Sequence, residues 1–147
     1  MLRVSKLADY ATVIMAHLAR YSDRLESARN IALGTNLTMP TVSKLLKKLS
    51  KANLLTSIRG ANGGYKLCRD VSDISLADII YALEEPRGLT ECSYESGRCT
   101  LQNVCLTQNS WRLVSKTIDV VLSSVSLRDF IDPNLKIDYK FGVSCGE

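Results

Sequence analysis

No apolar stretch in this 147-residue chain approaches the ~18 residues that a membrane-spanning helix requires. The opening MLRVSKLADYATVIMAHLAR lacks the basic, apolar and small-residue succession of a secretory leader. A cytoplasmic protein without membrane contact is the expectation. Histidine occurs once, at His17. No nucleophile stands beside a recognisable base and no glycine-rich loop opens a phosphate-binding helix, so the residues do not point to an enzyme. Carboxylates are absent between Glu26 and Asp70. Cysteine is present but odd in number, five in all, with Cys92, Cys99 and Cys105 clustered. In a reducing compartment such a set suits ligands or sensors better than a disulfide framework.

What fills the carboxylate-free stretch is positive charge: Arg29, Lys44, Lys47, Lys48, Lys51, Arg59, Lys66 and Arg69. The whole chain carries a net charge of +4, so the remainder is net negative. A basic block in an otherwise acidic chain is the footprint of a polyanion-binding surface, with nucleic acid first among candidates. A solvated basic face is the alternative.

Leu7, Tyr10, Ala11, Ile14, Met15 and Leu18 recur at spacings of three and four and predict a helix from Lys6 to Arg20. His17 lies beside that stripe and reads as a partly buried structural imidazole. After a loop from Tyr21 to Glu26, Ser27 caps a short helix through Ile31 and Leu33 that stops near Gly34. Thr38 caps a third helix with Pro40 in its first turn, where a missing N–H costs little. Val42, Leu45, Leu46 and Leu49 form its inward face, leaving Thr41, Ser43, Lys44, Lys47, Lys48 and Lys51 outside. Two helices around a turn at Gly34 to Thr38, the second with small polar and basic residues near its start, match a helix-turn-helix. A helical hairpin with solubilising lysines is the alternative.

The next segment discriminates between these. LLTSI and YKLC flank RGANGG, which predicts a β-hairpin with a glycine-rich loop. Gly60, Gly63 and Gly64 permit close approach of backbone to phosphate, and Arg59 can reach a narrow minor groove. Helix, turn, helix and basic wing define a winged helix-turn-helix for double-stranded DNA. Candidate contacts on the helices are Arg29, Thr38, Pro40, Thr41, Ser43, Lys44, Lys47 and Lys48. Those on the wing are Arg59, Gly60, Asn62, Gly63, Gly64 and Tyr65.

ISLADIIYALEEP predicts a short amphipathic helix ended by Pro86. The cysteine stretch follows, and then a long helix from about Leu106 to Val125 with Trp111, Val114, Ile118, Val121, Leu122 and Val125 on one stripe. No other helix of comparable length is expected to cover it, which predicts pairing with a second copy. VSLRDFI at 125–131 echoes ISLADII at 74–80, a Ser-Leu-x-Asp helix start used twice. The fold class is mainly α with a small β-hairpin wing. Its expected organisation is a winged helix-turn-helix domain at 1–85, a cysteine loop at 86–107, a dimerisation helix with a short closing helix at 108–132, and an irregular tail at 133–147.

Several segments together resemble one family. SKLADYA, MPTVSKLLKKL, RGANGGYKL, ISLADIIYALE, the spaced cysteines, CLTQNSW and SLRDFI are similar to the Rrf-type family of winged-helix transcriptional regulators over roughly residues 1 to 132. SKLADYA and the ECS start of the cysteine loop look most like its branch of SUF iron–sulfur assembly regulators. The resemblance implies a homodimeric repressor on a partly palindromic operator. It also implies an iron–sulfur cluster on Cys92, Cys99 and Cys105, either 2Fe-2S or, as the alternative, 4Fe-4S. Thiolates are suitable iron ligands, and the short spacings permit convergence.

The fourth ligand departs from the family pattern. One iron–sulfur-regulator branch of this family carries histidine three residues after the third cysteine, where this chain has Gln108, a poor iron ligand. Asp9 is the first substitute, because it matches the position from which the nitric-oxide-sensing branch donates a carboxylate across the dimer. Solvent or a small thiol comes next, then Gln108, His17 and the remaining cysteines. Cys68 reads as a small core residue, and Cys145 has no assigned role. A zinc-binding or thiol-redox regulator and a nitric-oxide-responsive regulator are the rival functions.

Overall fold

The computed structural model describes residues 4–84, 89–90, 93, 99–100 and 104–134. In chain order these form α1 (Lys6–Arg20), α2 (Ala28–Thr35), α3 (Met39–Lys51), β1 (Leu55–Ile58), β2 (Gly64–Leu67), α4 (Leu76–Leu83), α5 (Gln108–Ser124) and α6 (Leu127–Ile131). Ser5 opens α1 by accepting a hydrogen bond from the Ala8 N–H at 3.2 Å. The apolar repeat of α1 then buries Ile14, Met15 and Leu18 against α2, α3 and α4. Ile31 of α2, Val42, Leu45, Leu46 and Leu49 of α3, and Ile79 of α4 complete one continuous core.

Ser27 caps α2 through the Asn30 N–H at 3.1 Å. The helix stops near Gly34, as expected, its last residue being Thr35 and its cap Asn36 in the left-handed region (φ 56°). Gly34 has a different task. A Cβ there would lie 2.3 Å from Cε1 of His17, so only glycine lets the imidazole pack beneath α2. The turn that follows is just Asn36, Leu37 and Thr38.

β1 and β2 pair antiparallel from Leu55 with Leu67 to Ile58 with Gly64. A further pairing joins the loop before α2 to the hairpin. Glu26 donates its N–H to Tyr65 O at 3.0 Å and accepts from the Tyr65 N–H at 2.8 Å. A single-residue bridge has no periodicity for the sequence to reveal.

α5 is 17 residues long and α1 is 15, so a helix of comparable length does exist. It cannot cover α5 because its apolar face is occupied by the core. α5 buries only Ser115, leaving Leu113 67% and Val120 60% exposed. No helix among the described residues is long and apolar enough to cross a membrane.

Candidate nucleic-acid interface and cysteine segment

The buried stripe of α3 dictates what it presents outward. With Val42, Leu45, Leu46 and Leu49 turned in, Pro40, Lys44, Lys47 and Lys51 are exposed, flanked by the half-buried Thr41 and Ser43. Thr38 occupies the cap position without a side-chain bond to the helix backbone. Its hydroxyl pairs instead with that of Thr41 at 2.9 Å. Arg29 on α2 is also exposed.

Lys48 behaves differently from the outward lysines. It is half-buried, and its Nζ donates to the carbonyl of Leu83, the last residue of α4, at 3.1 Å. There it satisfies a helix-end carbonyl and places a cation at the negative end of the α4 dipole. The expectation that Lys48 points outward is therefore corrected.

On the wing, Arg59, Gly60 and Asn62 are exposed. Gly60 adopts φ 119° with open space where a Cβ would stand. Gly63 donates its N–H to Gly60 O at 3.0 Å, and a Cβ on Gly63 would meet Ile58 O at 2.2 Å, so its lack of a side chain closes the tip. Gly64 is buried, with Glu26 O only 2.7 Å from where its Cβ would be. Tyr65 is half-buried and packs against the core. These last two hold the Glu26 bridge, a role their place in the glycine-rich loop does not suggest.

A chain of contacts supports that bridge from behind. The imidazole of His17 packs on Tyr21 with ring centroids 5.0 Å apart, and the Arg24 guanidinium lies 4.4 Å from the Tyr21 ring centre. Arg24 Nε then meets the buried Glu26 carboxylate at 2.7 Å. His17 is half-buried, as expected, and its Nε2 has no hydrogen-bond partner among the described residues.

Of the clustered cysteines, Cys99 and Cys105 are half-buried free thiols, while Cys92, like Cys145, lies outside the described residues. Cys105 sits just before α5. The Thr107 hydroxyl, 3.4 Å from its sulfur, and the backbone N–H groups of Thr107 and Gln108 hold its pKa below the usual thiol value. Gln108 opens α5 with its side-chain nitrogen buried and unpartnered among the described residues. No three His, Cys, Asp or Glu side chains converge among those residues. Asp9 is exposed in the first turn of α1, and its carboxylate makes no hydrogen bond or ion pair with the described residues.

Cys68 is exposed rather than in the core, with its sulfur 2.9 Å from the Thr56 hydroxyl. Strand alternation puts it on the outward face of Lys66, which explains the correction.

Several ties frame the cysteine segment, and sequence reasoning missed all of them. The Ser5 N–H donates to Glu84 Oε1 at 3.2 Å, joining the start of α1 to the end of α4. The Leu89 N–H donates to Ser115 Oγ at 3.1 Å, and the Tyr81 hydroxyl donates to the Asp119 carboxylate. With the Lys48 bond, α1, α3 and α5 all attach to the end of α4 from which the segment departs. Each partner is remote in the chain, so no local spacing signals it.

A helix-turn-helix with a basic outer face and a two-stranded wing defines the class, a winged-helix DNA-binding regulator. The chain belongs to the Rrf2 family, described as "Iron-dependent Transcriptional regulator", whose match spans residues 4–133. It is 31% identical over 131 residues to Protein rrf2 of Nitratidesulfovibrio vulgaris, covering 88% of this chain and 87% of that protein. Among solved structures it is similar to T. potens IscR, at 33% identity and a TM-score of 0.68, over 88% of this chain and 86% of that one. It is also similar to CymR (YrzC), the global cysteine regulator of B. subtilis, at 30% identity and a TM-score of 0.70, over 89% and 97% of the two chains. The chain is thus a transcriptional regulator and not an enzyme.

Proposed function

We propose that this regulator is a homodimer that represses iron–sulfur cluster assembly genes, its DNA binding set by an iron–sulfur cluster on Cys92, Cys99 and Cys105. The observation that carries the reading is the donor chemistry at the start of α5. The Cys105 thiol is held below its ordinary pKa by Thr107 3.4 Å away, and Cys99 is a second free, half-buried thiol. Soft thiolate sulfur is what iron–sulfur binding needs, so the chemistry of Cys99 and Cys105 fits the group. The likeness to T. potens IscR supports the same reading. When bound, the cluster supplies a sulfur-ligated iron centre, 2Fe-2S in the first instance, whose loss reports iron or oxidant status. Asp9 of the second subunit is the proposed fourth ligand.

In this reading residues 1–85 are the DNA-binding head, 86–107 the sensing segment and 108–132 the pairing helix with its closing turn. Trp111 and Val114, 42% and 44% exposed, supply the apolar pairing face of α5. The chain's own part in the response is mechanical. The sensing segment leaves α4 next to the carbonyl that holds Lys48 of α3, so its arrangement bears on the placement of the reading helix.

The free, half-buried thiols of Cys99 and Cys105 also support a second reading, a thiol- or zinc-based response of the same DNA-binding head. Anaerobic purification and reconstitution distinguish the two. A coloured protein with visible absorption, lost when all three loop cysteines become alanine, supports the cluster. A colourless protein with stoichiometric zinc overturns it. Binding to promoters of iron–sulfur assembly genes, measured with and without the cluster, tests the regulatory half.

A further inference from the structure

Between Met39 and Lys51, α3 contains no Arg, Asn, Gln, Asp or Glu. Those side chains make most of the discriminating polar contacts in the major groove, to guanine, adenine and cytosine, which leaves α3 only lysine and small hydroxyls for polar readout. The tip of α3 offers a different chemistry. Pro40 is exposed in line with Lys44 and Lys47, and Met39 leaves 44% of its surface open. The core does not draw on either residue: from α3 it takes Val42, Leu45, Leu46 and Leu49. A proline in the first turn is explained by helix initiation, but an exposed methionine beside it is not. Nearby hydroxyls are partly committed, with Thr38 and Thr41 bonded to each other at 2.9 Å and Ser43 half-buried. The exposed lysines are compact point charges suited to phosphate.

We infer that Met39 and Pro40 form an apolar reading edge that recognises the C5-methyl group of thymine in the operator. That methyl is the apolar group a base pair presents in the major groove. The soft, unbranched thioether of Met39 adapts to it, and the rigid ring of Pro40 offers a fixed apolar surface beside it. The N-terminal residues of a recognition helix are those that reach base edges. The inference rests on the DNA-binding role and adds the base chemistry that the helix reads.

The test uses the full chain. The protein selects its preferred duplex from a randomised pool, and that duplex is resynthesised with deoxyuridine replacing thymidine at one position at a time, which removes only the methyl. At one or two positions in each half-site, binding weakens about fourfold per methyl. Met39→Ala with Pro40→Ala binds the thymidine and deoxyuridine duplexes alike. Pro40→Ala alone, a change that helices tolerate, reduces the discrimination and serves if the double variant is unstable. Deoxyuridine duplexes bound as tightly as the thymidine duplex overturn the inference, as does discrimination that survives undiminished in the variants. Failure to select any duplex removes the DNA-binding role itself, and the inference with it.

Discussion

Ser75 and Ser126 face each other across an antiparallel bridge, closed by Leu76 N–H to Val125 O at 2.8 Å and Leu127 N–H to Ile74 O at 2.7 Å. Each serine also caps the helix that follows it, in a capping box with Asp78 or Asp129. The Ser-Leu-x-Asp start used twice is thus a pair of caps joined back to back. Ile74 and Leu127 are fully buried at the joint. It fixes the C-terminal end of α5 to the N-terminal end of α4, while Tyr81 and Asp119 join the two helices elsewhere.

Acid should loosen this joint through Asp129. Hydrogen bonds from the Ser126 hydroxyl and N–H, helped by Arg128, lower its pKa from the ordinary 3.8. A carboxylate depressed in the folded state contributes stability that is present above the unfolded value and lost as pH falls through the folded one. Asp129→Asn should therefore be less stable than the parent chain at neutral pH. The difference should shrink below pH 3.8 and vanish once the parent carboxylate is protonated. Urea titrations of both proteins across that range check it, and a pH-independent difference would refute it. Ser126→Ala should cost about 1 kcal/mol at neutral pH, the usual value of such a cap.

Gly34→Ala should destabilise the chain by about 1 kcal/mol, because the new Cβ collides with the half-buried His17 ring and forces it to move. The ring is the obstacle, so His17→Ala combined with Gly34→Ala should recover much of the loss. A thermal or urea double-mutant cycle reads this as coupling, and simple additivity would show that the clash is not the cause.

These elements show what a linear reading can see. α1 runs from Lys6 to Arg20 as its stripe predicts, and the buried face of α3 is the predicted quartet of Val42, Leu45, Leu46 and Leu49. A helical repeat is local, so the sequence carries it openly. The Glu26–Tyr65 and Ser75–Ser126 pairings are single contacts between distant segments and leave no repeat. Cys68 misleads for another reason. Its apolar character suggests the core, whereas strand alternation sets it beside Lys66 on the outer face. For the cysteine segment, the spacing identifies the ligand candidates, whereas the frame around it depends on partners such as Ser115 and Glu84 that only folding brings near.

Lys48 and its outward neighbours should separate in their response to salt. Lys44→Ala and Lys47→Ala should each lower the salt slope of DNA binding by about 1 for the phosphate each lysine neutralises, with little change in stability. Lys48→Ala should leave that slope unchanged and cost about 1–3 kcal/mol of folding stability, because a part-buried carbonyl of α4 loses its charged partner. Filter binding at several salt concentrations, beside urea denaturation, distinguishes the two. A slope change in Lys48→Ala matching that of Lys44→Ala would place Lys48 on the phosphates after all.

The open face of α5 predicts its own failure mode. Val114→Asp puts a charge on the apolar face that a second copy would cover, while the side chain remains solvated in the monomer. Dimer affinity should fall at least tenfold, about 1.4 kcal/mol, with helix content unchanged. Sedimentation over a range of concentrations measures it, and an unaltered dimer would move the pairing surface elsewhere.

Asp9 and Gln108 compete for the fourth position on the proposed cluster, and their settings predict opposite outcomes. The Asp9 carboxylate is exposed and without a partner among the described residues, so it is available to a second subunit. Gln108 has a buried side-chain nitrogen with no partner among those residues, and an amide is a weak iron ligand. Asp9→Asn keeps the shape but removes the charge, and should weaken cluster retention by about tenfold or more, the scale expected when a metal site loses support. Gln108→Ala should retain the cluster, whereas Gln108→His should slow its loss by supplying an imidazole next to Cys105. Decay of the visible absorption under a chelator ranks the variants. If Gln108→Ala loses colour faster than Asp9→Asn, the fourth ligand belongs to the start of α5 and not to the partner subunit.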